Sequence, residues 1–405
     1  MNNATIISGY SANLAFAPNC DELIGNLKQG KSVTKEYWFE SERIAYKFGL
    51  NENKCIARLK SSNKSCFEEI SQLIDQALEQ AMLKKQSLSG ENVRVYLTGL
   101  GSRIDIIDYL SFYDHNDLED VTLNKQIKNL HAAKNNQDAL AHQIAKKFNL
   151  KFNPPNLNCT SNSALSAVHL AIQAINGGEI DLVVVINYSK IATQDIKFLA
   201  NQSMLESTAV QPFGEDSRSV LFTEGNCVMI FESAKHRQAR GLNHGVQLTS
   251  SYTQISSGRG NDAAQLSANL IKTMNKALDQ ANISNQQLAA IIPHGNGSEV
   301  TDKAEAQAIT TFFSEQFIPV LAYKGQIGYT STGSGVIDLM IGHYSLCHGE
   351  LISPVGCGVI RDKIKQYLLL NQGILKHEKH HLLKIGLGVD GSIIAIVMSN
   401  TVINS

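Results

Sequence analysis

This 405-residue sequence has no excess of basic charge: 36 Lys and Arg stand against 37 Asp and Glu, a formal net charge of -1. A chain that binds nucleic acid must neutralise a phosphate backbone, so nucleic acid is excluded as its main partner. Its seven cysteines (Cys20, Cys55, Cys66, Cys159, Cys227, Cys347 and Cys357) form no C-x-x-C pair. An odd, scattered set reads as reduced thiols in the cytosol. Long hydrophobic runs are missing too. The longest, such as 182–186, match a buried strand and fall far short of the ~20 residues that span a membrane. The first eighteen residues lack the basic and apolar regions of a signal peptide. Low-complexity stretches are absent. A soluble, cytoplasmic protein with no membrane partner is expected.

What is present is a globular composition, 43% hydrophobic and 18% charged, long enough for two or three domains or one large two-part domain. Short β-type runs alternate with helix-period stretches. Residues 4–8 and 93–97 read as strands. Residues 64–84 read as an amphipathic helix with Ile70, Leu73, Ile74 and Leu78 on one face. The span 163–176 is nearly all apolar, the pattern of a helix buried on all sides, and Gly177 and Gly178 stop it. Residues 181–186 and 227–232 read as core strands. The polar, basic segment 235–243 marks a boundary between halves, and the second half repeats the order: strand 245–253, helix 262–281, strand 289–294, helix 302–313, strand 318–322, a Gly-rich loop, helix 335–347 and a last strand 393–399. The pattern leaves the polar segment 116–137 open between surface loop and helix.

Four segments carry candidate chemistry. The first is 158–169, Asn-Cys-Thr-Ser-Asn-Ser-Ala-Leu-Ser-Ala-Val-His, at the entry to the apolar helix. A helix N-terminus offers free N–H groups and a positive dipole end, suited to a nucleophile or an oxyanion. A plain N-cap by Thr160 or Ser161 explains the same residues. The second is 294–305, His-Gly-Asn-Gly-Ser-Glu-Val-Thr-Asp-Lys-Ala-Glu. It places His294 at a strand's C-terminal end, where open α/β sheets bind ligands, though a structural histidine is equally compatible. The third, from Lys324-Gly-Gln-Ile-Gly-Tyr329 through Asp338, is dense in Gly, Ser and Thr. It suits either a phosphate cradle or close loop packing, and it is not a P-loop. The fourth is the glycine loop 386–391.

Taken in order, these segments resemble the β-ketoacyl synthase family. The likeness runs through Pro212-Phe213, Glu224-Gly225, His294-Gly295 with Asp302 and Glu305, Lys324 to Gly328, and His348-Gly349. The resemblance implies an α/β, thiolase-like fold. Two similar βαβαβ-type halves, 1–240 and 241–405, would form a layered α/β/α/β/α core. The departures are chemical. Counting back from His169 and from Gly178-Glu179, the family's nucleophilic cysteine falls on Ser161, with Cys159 two residues too early. The second histidine falls on Tyr329. The glutamate of the following helix falls on Asp338, and the phenylalanine of the C-terminal gate loop falls on Leu387.

A helix dipole contributes roughly 0.3–2 kcal/mol, about 1.5 pKa units at most. That activates a thiol with a pKa near ~8.5 but not a serine hydroxyl, which needs a general base. Only His294 remains for that work, since Tyr329 donates one hydrogen bond and stays neutral. The resemblance therefore implies a chain that does not condense acyl units alone, most like the chain-length factor of a type II polyketide synthase. Such a subunit pairs with a catalytic ketosynthase as a heterodimer and shapes the tunnel of the polyketide acyl chain, which an acyl carrier protein delivers on its phosphopantetheine arm. By rough position Tyr109, Phe112 and Tyr113, with Leu387, would line that tunnel. The alternatives are a serine acyltransferase using Ser161 and His294, with Lys324 and Asp338 in support, and a scaffold without acyl contact. No cofactor of the chain's own is implied. The clustered His377, His380 and His381 have no metal-ligand spacing, and the basic group Lys235, His236, Arg237 and Arg240 reads as a solvated turn.

Overall fold

The all-apolar run after Gly178 becomes a central strand whose side chains are buried on both faces. The computed structural model describes residues 3–115, 130, 136–207, 209–256, 262–313 and 317–402. In chain order the strands are β1 (Thr5–Leu14), β2 (Glu36–Tyr37), β3 (Cys55–Ile56), β4 (Val93–Thr98), β5 (Asn156–Leu157), β6 (Leu182–Ser189), β7 (Gly225–Ser233) and β8 (His244–Ile255). They continue with β9 (Leu288–Ile292), β10 (Glu350–Ile352), β11 (Ile374–Lys376), β12 (His381–Leu387) and β13 (Ser392–Val402). β2–β3 and β10–β11 are small hairpin-like pairs. The other nine form one sheet in the order β5-β4-β6-β7-β1-β8-β13-β12-β9.

The same pairing pattern occurs on each side of that sheet. β5, β4 and β6 run parallel, and β6, β7 and β1 are antiparallel. On the other side Val320 bridges β9 in parallel, β9 runs parallel to β12, and β12, β13 and β8 are antiparallel. The two sides join where Thr5 and Ile6 of β1 pair with Leu248 and Gln247 of β8. The fold is α/β and thiolase-like.

Helices form where the apolar period is 3.6. The helix Cys66–Gln80 starts at a capping box, in which Ser65 and Glu68 satisfy each other's backbone N–H groups. It buries Ile70, Leu73, Ile74 and Leu78 as the spacing predicts. The helix Ser163–Asn176 has the predicted bounds, but it is not buried all round: Leu170 is 41% exposed. The expected strand 318–322 is reduced to a bridge at Val320. Pro319 has no N–H to extend a ladder, and only its carbonyl, accepting from Ile291, takes part. The basic group at 235–240 is not a solvated turn. It forms the helix Ala234–Ala239, and His236, Arg237 and Arg240 all reach the fully buried Glu232 of β7. Most of the polar segment 116–137 lies outside the described residues. Among the described residues no helix is long and apolar enough to cross a membrane.

Candidate functional site

Ser161 sits in a tight 3-10 turn, Thr160–Asn162, immediately before the Ser163–Asn176 helix. Thr160 has φ +47, a left-handed conformation costly for a β-branched residue. Such strain persists only where the surroundings impose it. Here they do. Ser163 Oγ accepts from Cys159 N–H at 2.9 Å and donates to Thr160 O at 2.7 Å. Asn162 Nδ2 donates to Ser392 O and Oγ at 3.0 and 2.9 Å. That last pair ties the turn to the C-terminal glycine loop. At Gly386 a Cβ would run into Asn162 Oδ1 and Leu165, so the approach requires glycine. Leu387 ends β12, buried beside this contact. The N-cap reading does not hold: no side chain caps the helix, and the Ser161 hydroxyl is engaged elsewhere.

Its partner is Tyr329, whose hydroxyl donates to Ser161 Oγ at 2.5 Å. The phenol is placed by Gly328, which has φ +90 and a Cβ position already filled by Thr223. Tyr329 backbone N–H donates to Leu221 O at 2.7 Å. Burial pushes its phenolic pKa up, against the lowering effect of its hydrogen bonds with Ser161, Asn296 and Ser331. Tyr329 therefore stays protonated and cannot serve as a base. The glycine-dense segment is close loop packing.

His294 follows β9 and is 5% exposed. Its ring meets Tyr329 edge-on, with centroids 5.8 Å apart at 84°. Burial first, then the charges of Lys324 and Lys384, hold its pKa well below the usual histidine value. It is a neutral imidazole at physiological pH. The carboxylates after it serve the backbone. Glu305 accepts from His294 and Gly295 N–H at 2.6 and 2.7 Å. Asp302 accepts from Phe213, Asn296 and Gly297 N–H groups. Burial pushes Asp302 up to about 6.

Lys324 Nζ donates to Asp338 Oδ2 at 2.7 Å, with both side chains buried. A second ammonium reaches the same oxygen: Lys384 Nζ, on β12, at 2.5 Å. Lys384 belongs to none of the motifs read from the sequence. Its only sequence signal is a lone lysine inside the apolar run 382–387, which the structure forms into β12.

The structure thus brings Ser161, Tyr329, His294, Lys324 and Asp338 to one place. Cys159 stands apart in role, half-buried at the start of the turn. Tyr109, Phe112 and Tyr113 lie on the helix Ile106–His115. Tyr109 and Tyr113 are exposed, and Phe112 is half-buried. His348 ends the helix Ser334–His348 away from this cluster, stacked on Tyr344.

Residues 70–237 match the family described as "Beta-ketoacyl synthase, N-terminal domain", and residues 247–356 match "Beta-ketoacyl synthase, C-terminal domain". The chain belongs to the β-ketoacyl synthase family. Among curated relatives of this β-ketoacyl synthase chain, the pikromycin polyketide synthase component PikAII of Streptomyces venezuelae is 20% identical over 264 residues, 63% of this chain and 7% of its own length. Polyketide synthase PksL of Bacillus subtilis is 27% identical over 229 residues, 53% of this chain and 5% of its own. The chain thus spans less than a tenth of either. Two solved structures share the β-ketoacyl synthase fold over nearly the whole chain. A ketosynthase described in complex with its type II acyl carrier protein matches at TM-score 0.84 and 17% identity, covering 99% of this chain and 100% of that one. The ishigamide ketosynthase/chain length factor matches at 0.82 and 15%, with the same coverage.

Proposed function

We propose that this chain is the non-condensing, chain-length-factor subunit of a type II polyketide synthase. One observation carries the reading: a protonated phenol, Tyr329, donates to the hydroxyl at the nucleophile position. Condensation needs a nucleophile that can lose its proton and a pair of imidazoles at the thioester carbonyl. Here one of the two acceptor lone pairs of Ser161 is taken by a protonated phenol that cannot act as its base, and the imidazole of His294 faces the phenol ring. Geometry is kept while reactivity is removed, which suits a subunit that holds the fold of a catalytic partner. The nearby solved structure described as a ketosynthase/chain length factor is in keeping with this role.

In this reading a ketosynthase with an intact cysteine and two histidines forms the other half of a heterodimer. An acidic acyl carrier protein presents the growing chain on its phosphopantetheine arm, and the complex works in the cytoplasm. The halves 1–240 and 241–405 act as the two thiolase-like units. The exposed aromatics Tyr109 and Tyr113, with Phe112, face the partner and bound the acyl tunnel, and Leu387 bounds it from the glycine loop.

The test is co-expression with a type II ketosynthase that carries an intact cysteine and two histidines. Native mass spectrometry should show a one-to-one complex, and Ser161→Ala should leave both assembly and product intact. Tyr113→Ala should change product length. Intact-mass detection of an acyl group on Ser161, delivered by a charged carrier protein, would instead establish the serine acyltransferase with His294 as base. Loss of product in Ser161→Ala with assembly preserved would do the same.

A further inference from the structure

Lys384 is 1% exposed, in a strand whose neighbours Leu382, Leu383 and Ile385 are core residues. An ammonium is not buried there without a task. Its Nζ donates to Asp338 Oδ2 at 2.5 Å and to Pro293 O at 3.0 Å. The second contact is the informative one. Pro293 O belongs to the peptide unit that joins Pro293 to His294. The N–H of that same unit donates to Glu305 Oε1 at 2.6 Å. One peptide plane is therefore gripped at both polar atoms by buried groups of opposite charge, an ammonium on its oxygen and a carboxylate on its N–H. Charge-assisted bonds are the strong ones, and a flipped plane would face each dipole end with like charge. The orientation of that plane sets the direction in which the His294 side chain leaves the backbone.

Lys384 also exceeds what Asp338 needs. Lys324 already neutralises that carboxylate at 2.7 Å through the same oxygen, while Asp338 Oδ1 is buried with no partner. Lys384 is therefore surplus to that ion pair and is tied to the strand end bearing His294. We propose that Lys384 is a positioning residue whose ammonium locks the Pro293–His294 peptide against Asp338 and so fixes the imidazole in the site. The inference stands whether or not Ser161 is ever acylated.

The charge has a second consequence. Lys324 and Lys384 act on the imidazole through their charge and the Tyr329 ring packs edge-on against it, while Asp338 pairs with the two lysines and Glu305 holds the His294 backbone N–H. Within this set Lys384 adds a positive charge that opposes protonation of His294.

The test uses the full chain with isotope-labelled histidine and follows the His294 ring by NMR from pH 4 to 9. Lys384→Met keeps the length of the side chain and removes the charge. It should shift the His294 resonances and move its titration midpoint up, whereas Lys384→Arg should leave the midpoint near that of the native chain. Lys384→Ala should recover the native resonances when methylammonium is added, and tetramethylammonium, too large for the hole, should have no effect. Unchanged His294 resonances and midpoint in Lys384→Met, even with a lower melting temperature, would reduce Lys384 to a core ion pair and overturn the proposal. If Lys384→Met does not fold, the methylammonium comparison decides: an equal response to both ions overturns it.

Discussion

The bond between Tyr329 and Ser161 can be measured by a double-mutant cycle. Tyr329→Phe removes the donor and leaves the buried Ser161 hydroxyl without its partner. The expected cost is about 1 kcal/mol, the net value of one hydrogen bond. Ser161→Ala strands the phenol instead. A fully buried unsatisfied hydroxyl costs about 1–3 kcal/mol, and the low end applies here because Asn296 and Ser331 lie within reach of the phenol. The double variant strands nothing, so it should cost about 1 kcal/mol less than the two singles together. Heat is a poor assay at this size. At roughly 2.1 cal/mol/K per residue, 1 kcal/mol moves the melting temperature by only about 1 °C. Urea unfolding followed by tryptophan emission is better. Trp38 is the single tryptophan, and it packs on the cluster that contains Tyr329. The probe therefore reports loss of the part under test. Additivity of the two singles within about 0.3 kcal/mol would mean the hydroxyls are not paired, and the argument for a disarmed Ser161 would fail with it.

Glu232 is buried beneath Arg240, His236 and Ser8. Burial raises its pKa, but the hydrogen bonds from Arg240, Ser8 and His236 outweigh that and leave it below the usual glutamate value. Its stabilisation is therefore full above the ordinary carboxylate range and lost as pH falls through the folded value. Glu232→Gln should cost about 3 kcal/mol at neutral pH and flatten the acid limb of a stability-versus-pH curve; an unchanged limb would refute this. Burial raises both Asp302, to about 6, and Glu305. Each contributes stability that is fully present below the unfolded carboxylate pKa and is lost as pH rises through its folded value. Urea midpoints should fall from about pH 4 to the end of that window, and Asp302→Asn should remove part of the slope. Gly328→Ala must displace Thr223 from the space its Cβ would fill, at a positive φ. It should cost several kcal/mol by overpacking and strain and shift Trp38 emission in the native state, which a tolerated substitution would not do.

The parts of this protein legible in its sequence are those with a local cause. The Ser163–Asn176 helix is marked by its nearly all-apolar run and by the glycines after it, and the structure gives it the same bounds. The register that places Ser161 before that helix rests on the same short-range counting, and the structure sets its hydroxyl beside the residue at the second-histidine position. Contacts decided by distant chain segments were hidden. The strand at 318–322 has the composition of β structure, yet only Val320 is bridged, because pairing depends on its distant partners Ile291 and Leu368 and not on propensity. The basic group at 235–240 reads as solvated from its composition although its partner Glu232 ends the strand just before it, because that glutamate is buried by β1 and β6, which come from far along the chain.

Lys384 is the most instructive omission, because the rule that hid it also explains it. A charged residue in an apolar run argues locally against a core strand, so the pattern alone marks the glycine loop and β13 but not β12. In three dimensions the same charge is admissible because two acceptors from different elements, Pro293 O and Asp338 Oδ2, wait for it. A buried lysine is costly unless paired. Its presence in such a strand therefore implies partners that the folded chain must supply, and those partners lie at the functional centre. Lys384→Leu would restore the apolar pattern expected of a core strand while leaving Pro293 O unpaired and Asp338 with Lys324 alone. If apolar pattern governed this position, that variant would be as stable as the native chain. If the ammonium governs, it should lose about 1–3 kcal/mol for the stranded carbonyl despite its better hydrophobic match, and urea unfolding distinguishes the two.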